Sequence, residues 1–165
     1  MAQDWDDALG LRSTDTVSTN AACRIAGMDS RRLNEVMVQG AFTCAPSTRR
    51  GVPRAWGEDD ILALCMFRCL VGERWHLQVA GRAAQELRTL PAENPGLMYA
   101  TMLFSGDGFV QWQAGQNWSP YVLYEAFKTN SIPLVTSFRV WSLWSYRVNI
   151  CQGIKNEKSN PGEAA

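Results

Sequence analysis

Val17-Ser18-Thr19-Asn20-Ala21-Ala22-Cys23-Arg24-Ile25-Ala26-Gly27-Met28-Asp29-Ser30-Arg31-Arg32-Leu33 is the stretch whose reading decides the fold. It holds two short helical patterns either side of one glycine. A polar residue stands ready to cap the first helix, and Gly27 can take the left-handed conformation that stops it. Asp29 or Ser30 is placed to cap the second. Two short helices joined in this way form the unit that lays its second helix in the DNA major groove. That places Ser30, Arg31, Arg32 and Asn34 at the start of an expected recognition helix.

The next residues suggest a wing. Ala41-Phe42-Thr43-Cys44 and Arg54-Ala55-Trp56 are short strand candidates, and Pro46 to Pro53 between them is rich in turn residues. Arg49, Arg50 and Arg54 would then sit on an exposed hairpin, able to hold phosphates. A solvated loop with incidental charge is the plainer alternative. The whole chain balances 16 basic against 16 acidic residues, so its net charge is silent about nucleic acid. From Ser18 to Trp56, six arginines face only Asp29 and Glu35, a local excess of +4. Local segregation matters more than the total, because charge is screened within about 10 Å at ordinary salt.

These features together resemble the winged-helix DNA-binding domain of the MerR family, over the stretch from about Ser18 to Leu90. Arg54-Ala55-Trp56-Gly57-Glu58-Asp59-Asp60-Ile61-Leu62-Ala63-Leu64 stands where that family leaves its wing and starts an acidic-capped helix. Gly72-Glu73-Arg74-Trp75-His76-Leu77 stands at the turn between its last two helices. The resemblance implies DNA binding. The run Leu33-Asn34-Glu35-Val36-Met37 departs from the usual end of the family's second helix, and the cysteines of its metal-sensing members are not visible as a set.

Ile61 to Val71 carries one charge, Arg68, and predicts a helix buried on most sides. Leu77, Ala80, Ala84 and Leu87 recur at helical spacing, with Gln78, Arg82, Gln85 and Arg88 as the polar face of a helix over 76–90. Pro91, Asn94, Pro95 and Gly96 then mark a boundary. Beyond it, 97–104 and 109–112 predict a hairpin across Ser105-Gly106-Asp107-Gly108. A short helix is expected from Ser119 or Pro120 to Lys128. From Leu134 to Ile150, Phe138, Val140, Trp144, Tyr146, Val148 and Ile150 share one parity and predict strand, broken near Ser142 or Ser145. The expected fold class is α+β: a mostly helical winged helix-turn-helix with a two-stranded wing, then a small β-rich region. Its divisions are a flexible acidic start (1–16), the DNA-binding domain (17–91), a β-rich dimerisation or sensor region (92–154) and a disordered tail (155–165).

With 46% hydrophobic and 19% charged residues the chain can bury a core, but about 60 residues after the boundary would be marginal alone. Partner burial would help them. The aromatics there, Trp112, Trp118, Trp141 and Trp144 among them, suit either an oligomer interface or a ligand pocket. Cys65 and Cys69 stand four apart with His76 nearby, a spacing that could hold zinc; small buried core thiols are the plainer reading. The odd number of cysteines argues against a disulfide framework. There is no nucleophile elbow, phosphate-cradling loop or metalloprotease motif, and one histidine in all. The expectation is therefore no enzyme, no cofactor, no metal and no membrane span, in a cytoplasmic, nucleoid-associated protein.

The reading is a sequence-specific transcriptional regulator acting as a homodimer on double-stranded DNA, with RNA polymerase or another protein as a further partner. Two alternatives stand beside it. One is an architectural or excisionase-like DNA-binding factor; the other is an adaptor that binds proteins through its aromatic C-terminal half.

Overall fold

A computed structural model describes residues 13–93, 98–105, 108–115 and 135–159. They form an α+β fold of five helices and one antiparallel sheet: α1 (Thr19–Ala26), α2 (Ser30–Val38), α3 (Glu58–Gly72), α4 (Leu77–Glu93), β1 (Tyr99–Ser105), β2 (Gly108–Gly115), β3 (Val135–Ser142) and α5 (Leu143–Ser159).

The caps around the first turn follow the sequence. Ser18 accepts the Ala21 N–H on its hydroxyl at 3.3 Å and starts α1. Gly27, at φ 66°, ends it and donates to the carbonyls of Arg24 and Cys23. Asp29, extended at ψ 133°, accepts the Arg32 N–H at 2.9 Å and starts α2. Losing that acceptor strands an N–H at the helix start, so Asp29→Ala should lower stability by about 1 kcal/mol in urea unfolding. An unchanged midpoint would mean that water serves the N–H equally well.

The α3 helix is the centre of the core. Ile61, Leu62, Ala63, Leu64, Met66, Phe67 and Leu70 have no exposed surface, as expected for a helix apolar nearly all round. Asp60 caps it by accepting the Gly57 N–H at 3.0 Å, and its other oxygen takes Arg88 Nε of α4 at 2.7 Å. Phe42 fits between Trp56, ring centroids 6.3 Å apart, and Phe67, at 5.1 Å. The backbone of α4 comes close to the carbonyl of Ala41 at Gly81.

No wing strands form among the described residues. The expected partners, 41–44 and 54–56, are held by packing rather than by each other. Trp56 instead bridges to Val17, its N–H donating to the Val17 carbonyl at 2.9 Å and its carbonyl receiving the reciprocal bond at 3.0 Å. Pro46 and Pro53 lack the N–H groups a ladder needs. A cross-tied loop takes the place of the hairpin. Its tip is a turn closed by Val52 N–H to the Arg49 carbonyl at 3.0 Å, with Gly51 at φ 81° in the third position, where type II turns favour glycine. Thr48 Oγ1 donates to the Val52 carbonyl, and Arg54 Nε donates to the Pro46 carbonyl at 3.1 Å.

The sheet has order β2-β1-β3, all antiparallel. Trp112 of β2 seats it on α4 by donating Nε1–H to the Ala83 carbonyl at 2.8 Å. The expected hairpin is present, and so is a strand break at Ser142. After the break the chain turns into a helix, not a second strand: Leu143, Arg147, Ile150, Cys151 and Ile154 are buried at three- and four-residue spacing. The alternating aromatics of the sequence hid that stripe. Far from ending in a disordered tail at 155, α5 continues to Ser159. Glu157 accepts from Arg24 of α1 at 2.8 and 2.5 Å, and Lys158 lies 2.5 Å from Asp15. One apolar core runs through both halves of the chain, from Val17 through α3 and α4 to Ile154. The expected helix over 119–128, the acidic start before residue 13 and the end after 159 lie outside the described residues.

Inside that core sits an ion pair. Arg147 and Glu58 are 5% and 7% exposed, with Nη1 to Oε1 at 3.5 Å. Arg147 also faces Asp59 at 3.5 Å. The second oxygen of Glu58 accepts the Ser13 N–H at 3.0 Å and lies 3.6 Å from the Cys151 thiol.

Candidate nucleic-acid interface

Two sets of arginines border the glycine-linked helices. The Asp29 cap makes Ser30 the first helical residue, so Ser30, Arg31 and Arg32 form the opening turn of α2. Leu33 and Val36 turn inward and are fully buried, which leaves Arg31, Asn34 and Glu35 on the solvent side. The Arg31 side chain is 89% exposed and that of Arg32 48%. Both reach Glu35: Arg31 Nε lies 3.6 Å from one oxygen and Arg32 Nη1 3.1 Å from the other. Exposed pairs at this spacing contribute a few tenths of a kcal/mol. A guanidinium forked onto guanine contributes about 1–3 kcal/mol to base discrimination. Glu35 therefore steers the two side chains without holding them against a stronger acceptor.

The second set is on the loop. Arg49, Arg50 and Arg54 pair with no carboxylate among the described residues. Together with Thr19 at the start of α1 they border an open cleft of about 580 Å³. A second cleft, of about 590 Å³, lies against the loop and brings Arg88 beside Arg49. Arg88 is paired with Asp60 at 2.6 Å, so its charge there is largely answered. Among the described residues the arrangement is a basic loop without acidic partners between two open grooves, suited to a polyanion. No hydrogen bond or ion pair among the described residues joins the α2 arginines to those of the loop.

Thr19, Thr48 and Arg88 border the loop but do not stand out in the sequence. Thr48 had a readable signal as a hydroxyl in a turn. The other two come from distant segments and only the fold places them there.

Cys65, Cys69 and His76 do not form a ligand set. Cys69 Sγ lies 3.5 Å from the Tyr146 hydroxyl, while His76 is exposed and accepts the Gln78 N–H at Nδ1. Among the described residues no group of three His, Cys, Asp or Glu side chains could hold a metal ion. Burial pushes the Cys65 and Cys44 thiols up to about 12 and Cys151 to about 11, which keeps all three protonated at neutral pH. No helix among the described residues is long and apolar enough to cross a membrane.

The chain matches no model of a known protein family and no curated protein.

Proposed function

We propose that the chain is a sequence-specific DNA-binding regulator, similar in plan to MerR-type winged helices and acting as a homodimer. The observation that carries this reading is an arginine-led helix after a glycine turn together with an arginine loop that no carboxylate among the described residues neutralises. In this reading α2 enters the major groove, where Arg31, Arg32 and Asn34 meet base edges and Ser30 a phosphate. Arg49, Arg50 and Arg54 hold the flanking backbone, as a wing does. One such unit covers too few base pairs to be selective, and a two-fold dimer reading two half-sites solves this. The outer strands β2 and β3 belong to the region proposed to bring two copies together.

Selection of bound DNA from a random pool, followed by footprinting, tests the reading. The expected site is a palindrome with half-sites about one or two helical turns apart. On that site Arg31→Ala or Arg32→Ala should weaken binding by about 1–3 kcal/mol and relax preference at one position. Arg49→Ala and Arg50→Ala should weaken specific and random DNA alike, flattening the salt slope by about one unit per lost contact. Four variants that bind like the parent would end the winged-helix assignment. Phased sites without a palindrome would favour the architectural alternative.

A further inference from the structure

Away from the arginine loop, a cavity of about 200 Å³ opens between α1, α3 and α5. Ile25 and Ile150 form an apolar side, and Arg68, Cys69, Tyr146 and Asn149 a polar one. Arg68 is exposed and pairs with no carboxylate among the described residues. Its position is set by α1. The guanidinium carbon lies 3.7 Å from where a Cβ on Gly27 would stand, so the charge rests over the C-terminal end of that helix, where backbone carbonyls favour a cation.

The size of the cavity limits what can enter. At about 30 Å³ per water it holds some six or seven waters, well below the span of drug-sized pockets. The chemistry limits it further. A guanidinium fork beside an amide matches a planar carboxylate, whose two oxygens take two donors at once. A phosphate would leave acceptors facing the two isoleucines. The Cys65 thiol beside it stays protonated, so it does not repel an anion, and a metal finds no ready ligands.

We propose that this cavity binds a small carboxylate with a short apolar tail, the carboxylate on Arg68 and Asn149 and the tail against Ile25 and Ile150. The proposal stands on the cavity alone and does not require DNA binding.

Isovalerate and benzoate are suitable probes, with isovaleramide as the neutral match in shape. Titrated into the ¹⁵N-labelled full chain, at least one carboxylate should give saturable shifts at the amides of Gly27, Cys69 and Asn149, while isovaleramide gives none. Arg68→Gln should weaken that binding at least about tenfold, the loss expected for a charge-assisted contact, with the unfolding midpoint lowered only slightly, because the exposed side chain adds little beyond its charge at the end of α1. Asn149→Ala, also exposed, should weaken it by a smaller factor. No saturable shift with either carboxylate overturns the proposal. So does equal binding of isovaleramide, or undiminished binding by a folded Arg68→Gln variant. None of these readouts involves DNA, so failure here leaves the DNA reading to its own test.

Discussion

Arg147→Met is expected to destabilise the full chain by about 3–5 kcal/mol, because it leaves the Glu58 carboxylate buried without its cation. The methionine replaces the volume, so the loss is electrostatic rather than a void. Pairing it with Glu58→Gln should restore most of the stability, since removing both charges also removes the desolvation of each. The pH dependence gives a second reading. Burial raises the Glu58 pKa above its ordinary 4.5, with the Ser13 N–H and the Arg147 charge pulling partly the other way. A carboxyl whose folded pKa is raised opposes folding increasingly as pH rises above 4.5, and fully once pH exceeds the folded value. The opposition fades as pH falls and is gone below 4.5, where the unfolded group is protonated too. Without Arg147 one of the opposing pulls is lost, so the variant should lose stability over a wider span as pH rises. Urea titrations of the parent and both variants across mildly acid to neutral pH check this. A single variant within about 1 kcal/mol of the parent, with the same pH slope, would show that the pair is not what supports α5.

Gly81→Ala should be nearly as damaging, against the usual trend. Inside an ordinary helix, alanine stabilises by about 0.5–1 kcal/mol relative to glycine. Here the new Cβ would fall 1.7 Å from the Ala41 carbonyl oxygen and 2.9 Å from its carbon. Both obstacles are backbone, so no rotamer relieves them; α4 must move off residues 41–42 and disturb the seat of Phe42. Overpacking of this kind costs about 1–3 kcal/mol, and more where the backbone cannot yield. Gly72→Ala is the control. Nothing lies within 4 Å of the added methyl, and a neutral or slightly stabilising effect is expected. Two variants with equal unfolding midpoints would mean that α4 and the 41–44 segment separate easily.

Local rules were legible where the residue itself fixes the backbone. A polar cap before α1, Gly27 at its end, Asp29 or Ser30 before α2 and the acids before Ile61 could be read as helix limits, and the two apolar runs either side of 105–108 as a hairpin. Tertiary choices were not. The strand segments 41–44 and 54–56 look like partners, yet Trp56 pairs with Val17 instead. The parity of Trp144, Tyr146, Val148 and Ile150 signals strand just as strongly as Leu143, Arg147, Ile150 and Ile154 signal helix. Arg147 interrupts the apolar helix stripe, which leaves the alternating residues as the more visible pattern. Its distant partner Glu58, with Asp59 beside it, makes its burial tolerable. At the candidate interface the arginines stand in the sequence, whereas the neutralisation of Arg88 by Asp60 and the openness of the loop arise only from the tertiary fold.

The pairing of Glu58 with the last helix also bears on how the chain is made. Cys151 lies 93 residues beyond Glu58, and Glu157 lies 133 beyond Arg24. At about 5–20 residues per second of synthesis, roughly 5–20 s pass between the ribosome adding Glu58 and adding Cys151. From the addition of Gly72 onward α1 and α3 are both present in sequence, with a carboxylate lacking its arginine and an apolar flank awaiting a cover that does not yet exist. Contacts so distant along the chain close slowly even after release. A nascent chain stalled before residue 143 should therefore be a substrate for chaperones and proteases, while the finished chain, its flank sealed by α5, should escape both.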